Sequence, residues 1–205
     1  RVSAARTLAV LGVDAQVTIP TLIQLLEATD AGIRARAASS LGALGVEAKA
    51  VIPQLIQRLN ARDRRVRAWS AEALGQMGKD AQVAIFPLRQ LLDEPDSWVR
   101  EKAASALGAI GPDAESVVPL LIQLLYDPND SVRVSAARAL GQIGGRAKTA
   151  VPRLIRLLNT TDNSSTNKWV NGEVAIALGQ MGPEAIAAIP KLRQLLNDPD
   201  PDFRQ

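Results

Sequence analysis

One pattern recurs through the whole chain, and its clearest copy is Asp130-Ser131-Val132-Arg133-Val134-Ser135-Ala136-Ala137-Arg138-Ala139-Leu140-Gly141-Gln142-Ile143-Gly144. Its arginine column recurs at one constant spacing, interrupted by a single longer step, through Arg1, Arg34, Arg67, Arg100, Arg133, Asn171 and Arg204. A leucine column in the same register comprises Leu8, Leu41, Leu74, Leu107, Leu140 and Leu178. Self-similarity at a fixed period of about 20–50 residues is the signature of a repeat architecture.

We therefore divide the chain into six 33-residue repeats, the fifth of which has five extra residues at about 162–168. We expect a single array with repeats at about 1–30, 31–63, 64–96, 97–129, 130–167 and 168–200, and the start of a seventh at 201–205. Both ends fall within a repeat, so we expect the chain to be part of a longer array. The insertion predicts a surface loop over about Thr160–Asn167, with the register resuming at Trp169.

Each repeat is predicted to contain two helices. A glycine column inside the first helix indicates that two helices approach too closely for a side chain, because glycine there otherwise costs about 1 kcal/mol. A second glycine column, at the end of that helix, suits a left-handed C-terminal cap. The second helix is predicted to start about four residues ahead of a recurring proline, because proline is tolerated in a first turn.

Composition excludes several classes of protein. Of the 205 residues, 47% are hydrophobic but only 3% are aromatic, so we expect a core of aliphatic residues and alanine between close-packed helices. His and Cys are both absent, which excludes disulfides, Cys/His zinc sites and Ser-His-Asp catalysis. We therefore expect no enzyme, no metal and no cofactor. No apolar run approaches about 18 residues, so we expect no membrane span and a cytoplasmic location.

Aspartate and arginine recur together around the start of the first helices. We expect the aspartates to cap free N–H groups, and the two columns together to form a structural ladder between helix starts and neighbouring loops. A single catalytic site would not be repeated in every layer. The ladder comprises Asp30, Arg34, Asp63, Arg67, Asp96, Arg100, Asp130 and Arg133.

These columns resemble the HEAT-like repeats first recognised in phycobilisome lyase subunits. The shared pattern is Asp, then Val-Arg, then Ala-Ala-x-Ala-Leu-Gly-x-Ile-Gly, then Pro-x-Leu-Ile-x-Leu-Leu, and the resemblance covers essentially the whole chain. It implies an all-α, right-handed α-solenoid of the armadillo-like type, whose second helices line the concave surface. Members of the family include lyase subunits, scaffolds and sensor arms, so the resemblance is specific for the fold and not for the function.

The second helices carry the candidate binding surface. Four positions after the proline they present a glutamine stripe, which offers hydrogen-bond donors and acceptors without charge; the alternative is that glutamine serves only as a soluble helix former. The fifth repeat has six basic residues and no acid between Ser131 and Thr161, from which we hypothesise an acidic partner segment; the alternative is a merely solvated basic surface. The residues predicted to bind a partner protein or peptide are Gln24, Gln57, Gln90, Gln123, Tyr126, Arg146, Lys148, Arg153, Arg156, Lys191, Arg193 and Gln194.

Three functions remain open at this point. The leading hypothesis is a non-enzymatic scaffold that holds a partner protein or peptide along the second helices. The first alternative is a bilin lyase or chaperone-type subunit, as some similar proteins are. The second is nucleic-acid binding through the arginines from Arg58 to Arg67, which the net charge of only +3 and the lack of a stacking aromatic set disfavour. We expect the three tryptophans to pack against helix ends and Tyr126 to contact a partner.

Overall fold

The computed structural model of the chain describes residues 15–42, 48–158 and 165–196, and every regular element within these ranges is a helix. The chain divides into two compact units, Arg1–Ile110 and Gly111–Gln205, called unit 1 and unit 2 below. Each unit is built from pairs of helices, in which the first helix of one repeat packs beside the first helix of the next.

Unit 1 contains six described α-helices. They are α1 (Ala15–Leu25), α2 (Ala31–Gly42), α3 (Ala48–Arg58), α4 (Arg64–Gln76), α5 (Ile85–Gln90) and α6 (Ser97–Ile110), with 3-10 segments at Gly78–Ala84 and Leu91–Asp93. The even-numbered helices are the first helices of their repeats and the odd-numbered ones are the second. In α6 the apolar residues at helical spacing lie on one face and are all buried. They are Val99, Ala103, Ala104, Leu107 and Ile110.

Unit 2 contains five described α-helices with the same alternation. They are α7 (Val118–Leu124), α8 (Asp130–Ile143), α9 (Val151–Leu157), α10 (Ser165–Met181) and α11 (Ile189–Leu196), with 3-10 segments at Gly111–Val117, Gly144–Ala150 and Gly182–Ala188. The leucine column is buried in both units, through Leu41, Leu74, Leu107, Leu140 and Leu178.

Two glycine columns have the roles predicted from the sequence. A Cβ atom added to Gly75 would lie 2.8 Å from Cα of Ala106, and one added to Gly141 would lie 2.7 Å from Cα of Ala177, so neighbouring first helices do approach too closely for a side chain. The glycines after the first helices have positive φ, which favours glycine, but Gly144 combines it with ψ of −144° and so does not adopt the predicted left-handed helical cap. They are Gly78, Gly111, Gly144 and Gly182, with φ between 56° and 85°.

The predicted start of the second helices needs a correction in repeats three to six. The α-helix begins one residue ahead of the proline column, and a seven-residue 3-10 segment precedes it. Within each segment one alanine has non-helical dihedral angles, and helical conformation resumes four residues ahead of the proline column, at the predicted place but in the 3-10 form. These alanines are Ala81, Ala114, Ala147 and Ala185. Proline at the first or second position of α7 and α9 then forfeits no helical hydrogen bond.

The arginine column fastens each first helix to the turn in front of it. Arg34, Arg67, Arg100 and Arg133 each donate from Nη1 to the carbonyl oxygens six and five residues earlier, at distances of 2.6–3.4 Å. Nη2 of Arg67 also donates to Oε2 of Glu94 at 3.0 Å, which links one turn to the next. Hydrogen bonds to charged groups contribute about 1.5–3 kcal/mol each, so this column is an important part of the framework.

The aspartate column caps three of the helices. Asp30, Asp63 and Asp96 each accept a hydrogen bond from a backbone N–H in the first turn, at 2.8–3.1 Å. The expectation for Asp130 is wrong. The cap of α8 is Asn129, whose Oδ1 accepts from two N–H groups at 3.0 and 3.3 Å, while Asp130 is the first helical residue and pairs with the column arginine of its own helix. Position 129 lies one repeat length after Asp96, so constant spacing places the fourth cap at Asn129, one residue before the predicted Asp130.

The insertion also differs from its prediction. Helix α10 begins at Ser165, so residues 165–167 are helical and the predicted loop over Thr160–Asn167 is wrong at its C-terminal end. Residues 159–164, the rest of that loop, lie outside the described ranges. Asn171, which replaces arginine, is buried, and its Nδ2 has no hydrogen-bond partner within the described part of the chain. The ladder is therefore interrupted at this helix, as predicted.

One described stretch, Ser97–Leu124, is long and apolar enough by composition to cross a membrane. Gly111, with φ of 85°, interrupts the helical run within it. Half of its most apolar window is buried inside the protein, which is how the core helix of a globular protein also satisfies this criterion. The expectation that no stretch of the chain is long and apolar enough therefore does not hold by composition. Half of the most apolar window of Ser97–Leu124 is buried, as in a core helix.

Candidate partner-binding faces

In unit 1 the second helices present an exposed polar face with an uncharged glutamine column, beside which exposed Arg89 lies on α5. Gln24 on α1, Gln57 on α3 and Gln90 on α5 are exposed, as predicted for the glutamine column. Two positions before each glutamine, a leucine (Leu22, Leu55 or Leu88) is fully buried. The same short amphipathic pattern therefore turns leucine inward and glutamine outward in each repeat.

An apolar patch beside this face was missed by the sequence analysis. Val83 and Phe86 are 65% and 64% exposed, one helical turn apart. Val83 also lines an open cavity of about 420 Å³, together with Ile52, Pro53 and Lys79. The available signal was Phe86 itself, which stands in the proline column and is the single aromatic residue there.

In unit 2 the equivalent face is basic. Arg153 and Arg156 lie one turn apart on α9 and are both exposed. On α7 the corresponding surface includes exposed Gln123, and Tyr126, which is 49% exposed, lies in the turn that follows this helix. On α11 it carries exposed Gln194, whose Oε1 accepts a hydrogen bond from Nζ of Lys191 at 3.3 Å, and exposed Arg193 lies next to it in the sequence.

Two other predicted binding residues lie outside this helical face. Arg146 and Lys148 are exposed, but they belong to the 3-10 segment Gly144–Ala150, and the break at Ala147 separates them from each other. Arg146 precedes this break and therefore does not share a helical element with Arg153 and Arg156, whereas Lys148 lies where helical conformation resumes ahead of α9. The structure also shows a partner for Arg146, whose Nη1 donates to the carbonyl oxygen of Pro112 at 3.2 Å and lies 3.9 Å from Oδ1 of Asp113.

An open cleft of about 670 Å³ lies beside Arg146 and includes Gly144, Gly145 and Gln180. The guanidinium of Arg146 faces the carboxylate of Asp113, which competes with an external anion. Arg146 therefore contributes positive charge that is partly offset by this aspartate.

The cations of unit 2 fall into two groups. Arg138 pairs with Glu173 at 2.6 Å, and the hydrogen bond from this carboxylate raises the pKa of Arg138 above its ordinary value. By contrast, the side chains of Lys148, Arg153 and Arg156 form no ion pair or hydrogen bond with any residue that the structure describes. These three charges are therefore not neutralised within the described part of unit 2.

The tryptophans differ from one another in their environments. Trp69 and Trp98 pack edge to face in unit 1, with ring centroids 5.4 Å apart, and Nζ of Lys102 lies 5.9 Å from the Trp69 ring centre. This arrangement holds α4 against α6 and agrees with the packing role predicted for them. Trp169 in unit 2 is 51% exposed, so the packing prediction is wrong there. Position 135, where its packing partner would stand in the preceding repeat, is a serine and not a tryptophan.

The family is established by sequence comparison. A model of HEAT repeats matches residues 1–75, 19–108, 52–127, 85–166 and 118–205, which together cover the sequence from end to end. The chain therefore belongs to the HEAT-repeat family. No curated protein matches the sequence.

Solved structures place the chain among helical solenoids, as predicted. It is similar to the complex of CpcE and CpcF of phycocyanin lyase from Nostoc sp. PCC7120, with 25% identity, a TM-score of 0.56, and coverage of 96% of this chain and 89% of that one. An engineered protein has 27% identity and a TM-score of 0.66, with coverage of 91% and 92%. Computationally designed armadillo repeat proteins for modular peptide recognition share the fold at 18% identity and a TM-score of 0.62, with coverage of 91% and 95%.

Proposed function

We propose that this protein is a non-catalytic scaffold that binds an acidic segment of a partner protein on the second helices of unit 2. The observation that carries the proposal is the exposed pair Arg153 and Arg156, whose charges no described residue neutralises. Lys148 and Arg146 add positive charge nearby in the sequence. Charge of one sign on a surface attracts an oppositely charged partner and raises its association rate.

Charge alone would give weak binding, because exposed ion pairs contribute only about 0–1 kcal/mol each. The face therefore needs several pairs together and at least one apolar anchor. Tyr126, in the turn after α7, fits this role, because it is half-exposed and carries both an aromatic ring and a hydroxyl group. A partner segment with acids on either side of an apolar residue matches this arrangement.

A purely structural and binding role is consistent with the chemistry of the chain. His and Cys are absent from the whole sequence, so no imidazole general base and no thiol nucleophile is available. The Asp and Arg side chains that recur in the repeats are engaged in helix caps and turn bonds. In unit 1, Gln24, Gln57 and Gln90 provide a second, uncharged face, which we propose for adaptable contacts with a neutral stretch of the partner.

The test uses an acidic probe, namely a fluorescein-labelled peptide of repeated Glu-Glu-Leu triplets, followed by fluorescence anisotropy at low and at physiological salt. We expect it to bind more tightly than the matched Gln-Gln-Leu peptide and to weaken as salt rises. The variant Arg153→Glu/Arg156→Glu should lose about tenfold or more in affinity. Its control is Asn60→Asp/Gln82→Glu, at two exposed positions of unit 1 outside the proposed contact residues, which should bind nearly as well as the wild type. Equal binding of both peptides, or equal losses in both variants, would contradict the proposal.

A second candidate function is a bilin lyase subunit, favoured by the similarity to the CpcE and CpcF complex. The arrangement of aromatic residues is less favourable to it, because Trp69 and Trp98 are occupied with each other in an edge-to-face contact. A visible-absorbance titration with phycocyanobilin tests it directly. A saturable spectral shift that survives Arg153→Glu/Arg156→Glu would favour the lyase function over the acidic-segment proposal.

A further inference from the structure

One exposed aromatic residue of unit 1 departs from the framework that the repeats share. Phe86 stands in the proline column and is 64% exposed, and Val83, one helical turn earlier, is 65% exposed. Both lie in the middle of the sequence, between α4 and α6, so their exposure does not follow from an end of the chain. The other five members of the column are exposed prolines, namely Pro20, Pro53, Pro119, Pro152 and Pro190. The fold thus needs no large aromatic side chain at this position, which favours a role for Phe86 in binding over one in packing.

An apolar hollow lies next to these two side chains. The cavity of about 420 Å³ is lined by Ile52 and Pro53 of α3 and by Val83 of the segment Gly78–Ala84, which packs against α3. Ile52 is only 3% exposed, whereas Pro53 and Val83 are exposed. The hollow therefore offers an apolar site, open to solvent, to an aromatic side chain of a partner.

Charged side chains flank the apolar pair on both sides along the chain. Lys79 and Asp80 come before it and also line the cavity, and Arg89 and Asp93 come after it. All four are exposed, and their side chains form no ion pair or hydrogen bond with any residue that the structure describes. The order is thus cation, acid, two apolar residues, cation, acid, with no net charge. The Phe86 patch, as we call this surface, comprises Lys79, Asp80, Val83, Phe86, Arg89 and Asp93.

The order of the Phe86 patch is complementary to its own reverse. In two copies that face each other in opposite directions, every cation meets an acid and each apolar residue meets the other. The facing pairs are Lys79 with Asp93, Asp80 with Arg89, and Val83 with Phe86. The midpoints of the three pairs fall within two residues of one another, near Ile85, so a single two-fold axis serves all of them. Reciprocal contacts of this kind are what a two-fold interface between identical chains requires.

We propose that the Phe86 patch is a self-association surface whose occupant is a second copy of this chain. Phe86 of each copy then enters the apolar cavity beside Val83 of the other. An acidic partner would meet the two acids of the patch and a basic partner its two cations, whereas a second copy pairs all four charges. The patch covers one helical run of each copy, which is a smaller contact than the about 1,200–2,000 Å² of a standard interface. We therefore expect a reversible dimer that forms as concentration rises.

This surface goes beyond the function proposed above. The face proposed for an acidic segment lies on unit 2, and neither Arg153 nor Arg156 belongs to the Phe86 patch. A variant at Phe86 that abolishes the dimer should consequently keep its affinity for the Glu-Glu-Leu peptide, so the two proposals can fail independently.

The first test is sedimentation velocity of the full chain over about a hundredfold range of concentration. We expect the mass to shift from one chain to two. Phe86→Gln should remain at the mass of one chain throughout, because it removes the aromatic ring and keeps a good helix former. The matched control is Pro119→Gln, an exposed member of the same column in unit 2, which should dimerise like the wild type. A wild-type chain that stays monomeric, or a Phe86→Gln variant that still dimerises, would overturn the proposal.

The second test exchanges one pair of facing charges between two chains. Lys79→Asp or Asp93→Lys alone should weaken dimerisation by about tenfold, because each reversal brings like charges together at both symmetry-related contacts. An equimolar mixture of the two variants should dimerise as tightly as the wild type, because a mixed dimer again has opposite charges at both contacts. This recovery also shows that both variants are folded. A mixture that dimerises no better than either variant alone would contradict the two-fold pairing and overturn the proposal.

Discussion

Unit 1 and unit 2 have the same internal framework and different outer chemistry. In both, leucine and alanine fill the interior, glycine permits close helix crossings, and arginine binds the turn ahead of each first helix, up to Asn171. Where the second helices face outward, unit 1 has Gln54 and Gln57 on α3, while unit 2 has Arg153 and Arg156 at the equivalent positions of α9. The comparison indicates that the recurring columns specify the fold, whereas the residues that vary between repeats give the two units different outer surfaces.

The polar framework also changes between the units. Unit 1 uses aspartate caps, and hydrogen bonds from the side chain and backbone of Arg65 lower the pKa of Asp63 to about 2. In unit 2, Asn129 caps α8 in place of an aspartate, and Asn171 stands in the arginine column of α10. Nδ2 of Asn171 has no hydrogen-bond partner in the described part of the chain. Ionised groups are therefore more important to the helix starts of unit 1 than to those of unit 2.

The largest effect is expected at the close helix crossings, which both units share. Gly75→Val in unit 1 and Gly141→Val in unit 2 should each lower the free energy of unfolding by about 2–3 kcal/mol, because the new side chain collides with the backbone of the next first helix. Gly179→Val should change the free energy of unfolding by less than about 0.5 kcal/mol, because a Cβ atom added at Gly179 would meet no described atom within 4 Å. Urea denaturation measures all three, and a similar loss at Gly179 would show that crowding is not the cause.

A somewhat smaller effect is expected at the arginine column. Arg67→Ala removes the bonds from Nη1 to two carbonyl oxygens and the bond from Nη2 to Glu94, so it should cost about 1.5–3 kcal/mol of stability. Asn171→Ala in unit 2 should cost less than about 0.5 kcal/mol, because its Nδ2 makes no described bond. Chemical denaturation at neutral pH compares the two variants. Equal losses would mean that the interrupted ladder of unit 2 is stabilised in some other way.

The smallest effect concerns acid. The folded pKa of Asp63, about 2, lies below its ordinary value of 3.8, so its ionisation stabilises the fold fully above pH 4 and this contribution is lost as pH falls through 2. Carbon-detected NMR should find Asp63 still ionised near pH 3. Asp63→Asn should reduce the decline of stability between pH 4 and 2, because the equivalent cap of unit 2 is already Asn129, which does not titrate. A carboxylate that titrates near 3.8 would refute this.

Much of the fold could be predicted from the sequence because it depends on positions that recur once in every repeat. The buried leucines, the crowded glycines and the arginine bonds follow from one pattern repeated in each layer. The errors occurred where the repeats are not identical. The cap of α8 is Asn129 and not Asp130, because the repeat spacing determines the cap position more than the residue type does. Helix α10 begins at Ser165, because polar residues of the insertion extend it.

The candidate site was predictable in part. Exposure of the glutamine column and of Arg153 and Arg156 follows from helical periodicity, and the structure confirms it. The pairing of Arg146 with Asp113 could not be read from the sequence, because it joins the same position of two successive repeats. Nor could the isolation of Trp169, which depends on whether the preceding repeat offers an aromatic partner.

The central claim is that an acidic segment binds unit 2 because of where its arginines lie, and not because of the overall charge of the chain. The most direct measurement exchanges the two faces in one variant, Gln54→Arg/Gln57→Arg/Arg153→Gln/Arg156→Gln, which leaves the net charge at +3. Its affinity for the Glu-Glu-Leu peptide is then measured by fluorescence anisotropy at low salt. We expect a loss of about tenfold, because the transplanted arginines lack Tyr126 and the surrounding cations of unit 2. An affinity equal to that of the wild type would contradict the claim and show that binding follows net charge alone.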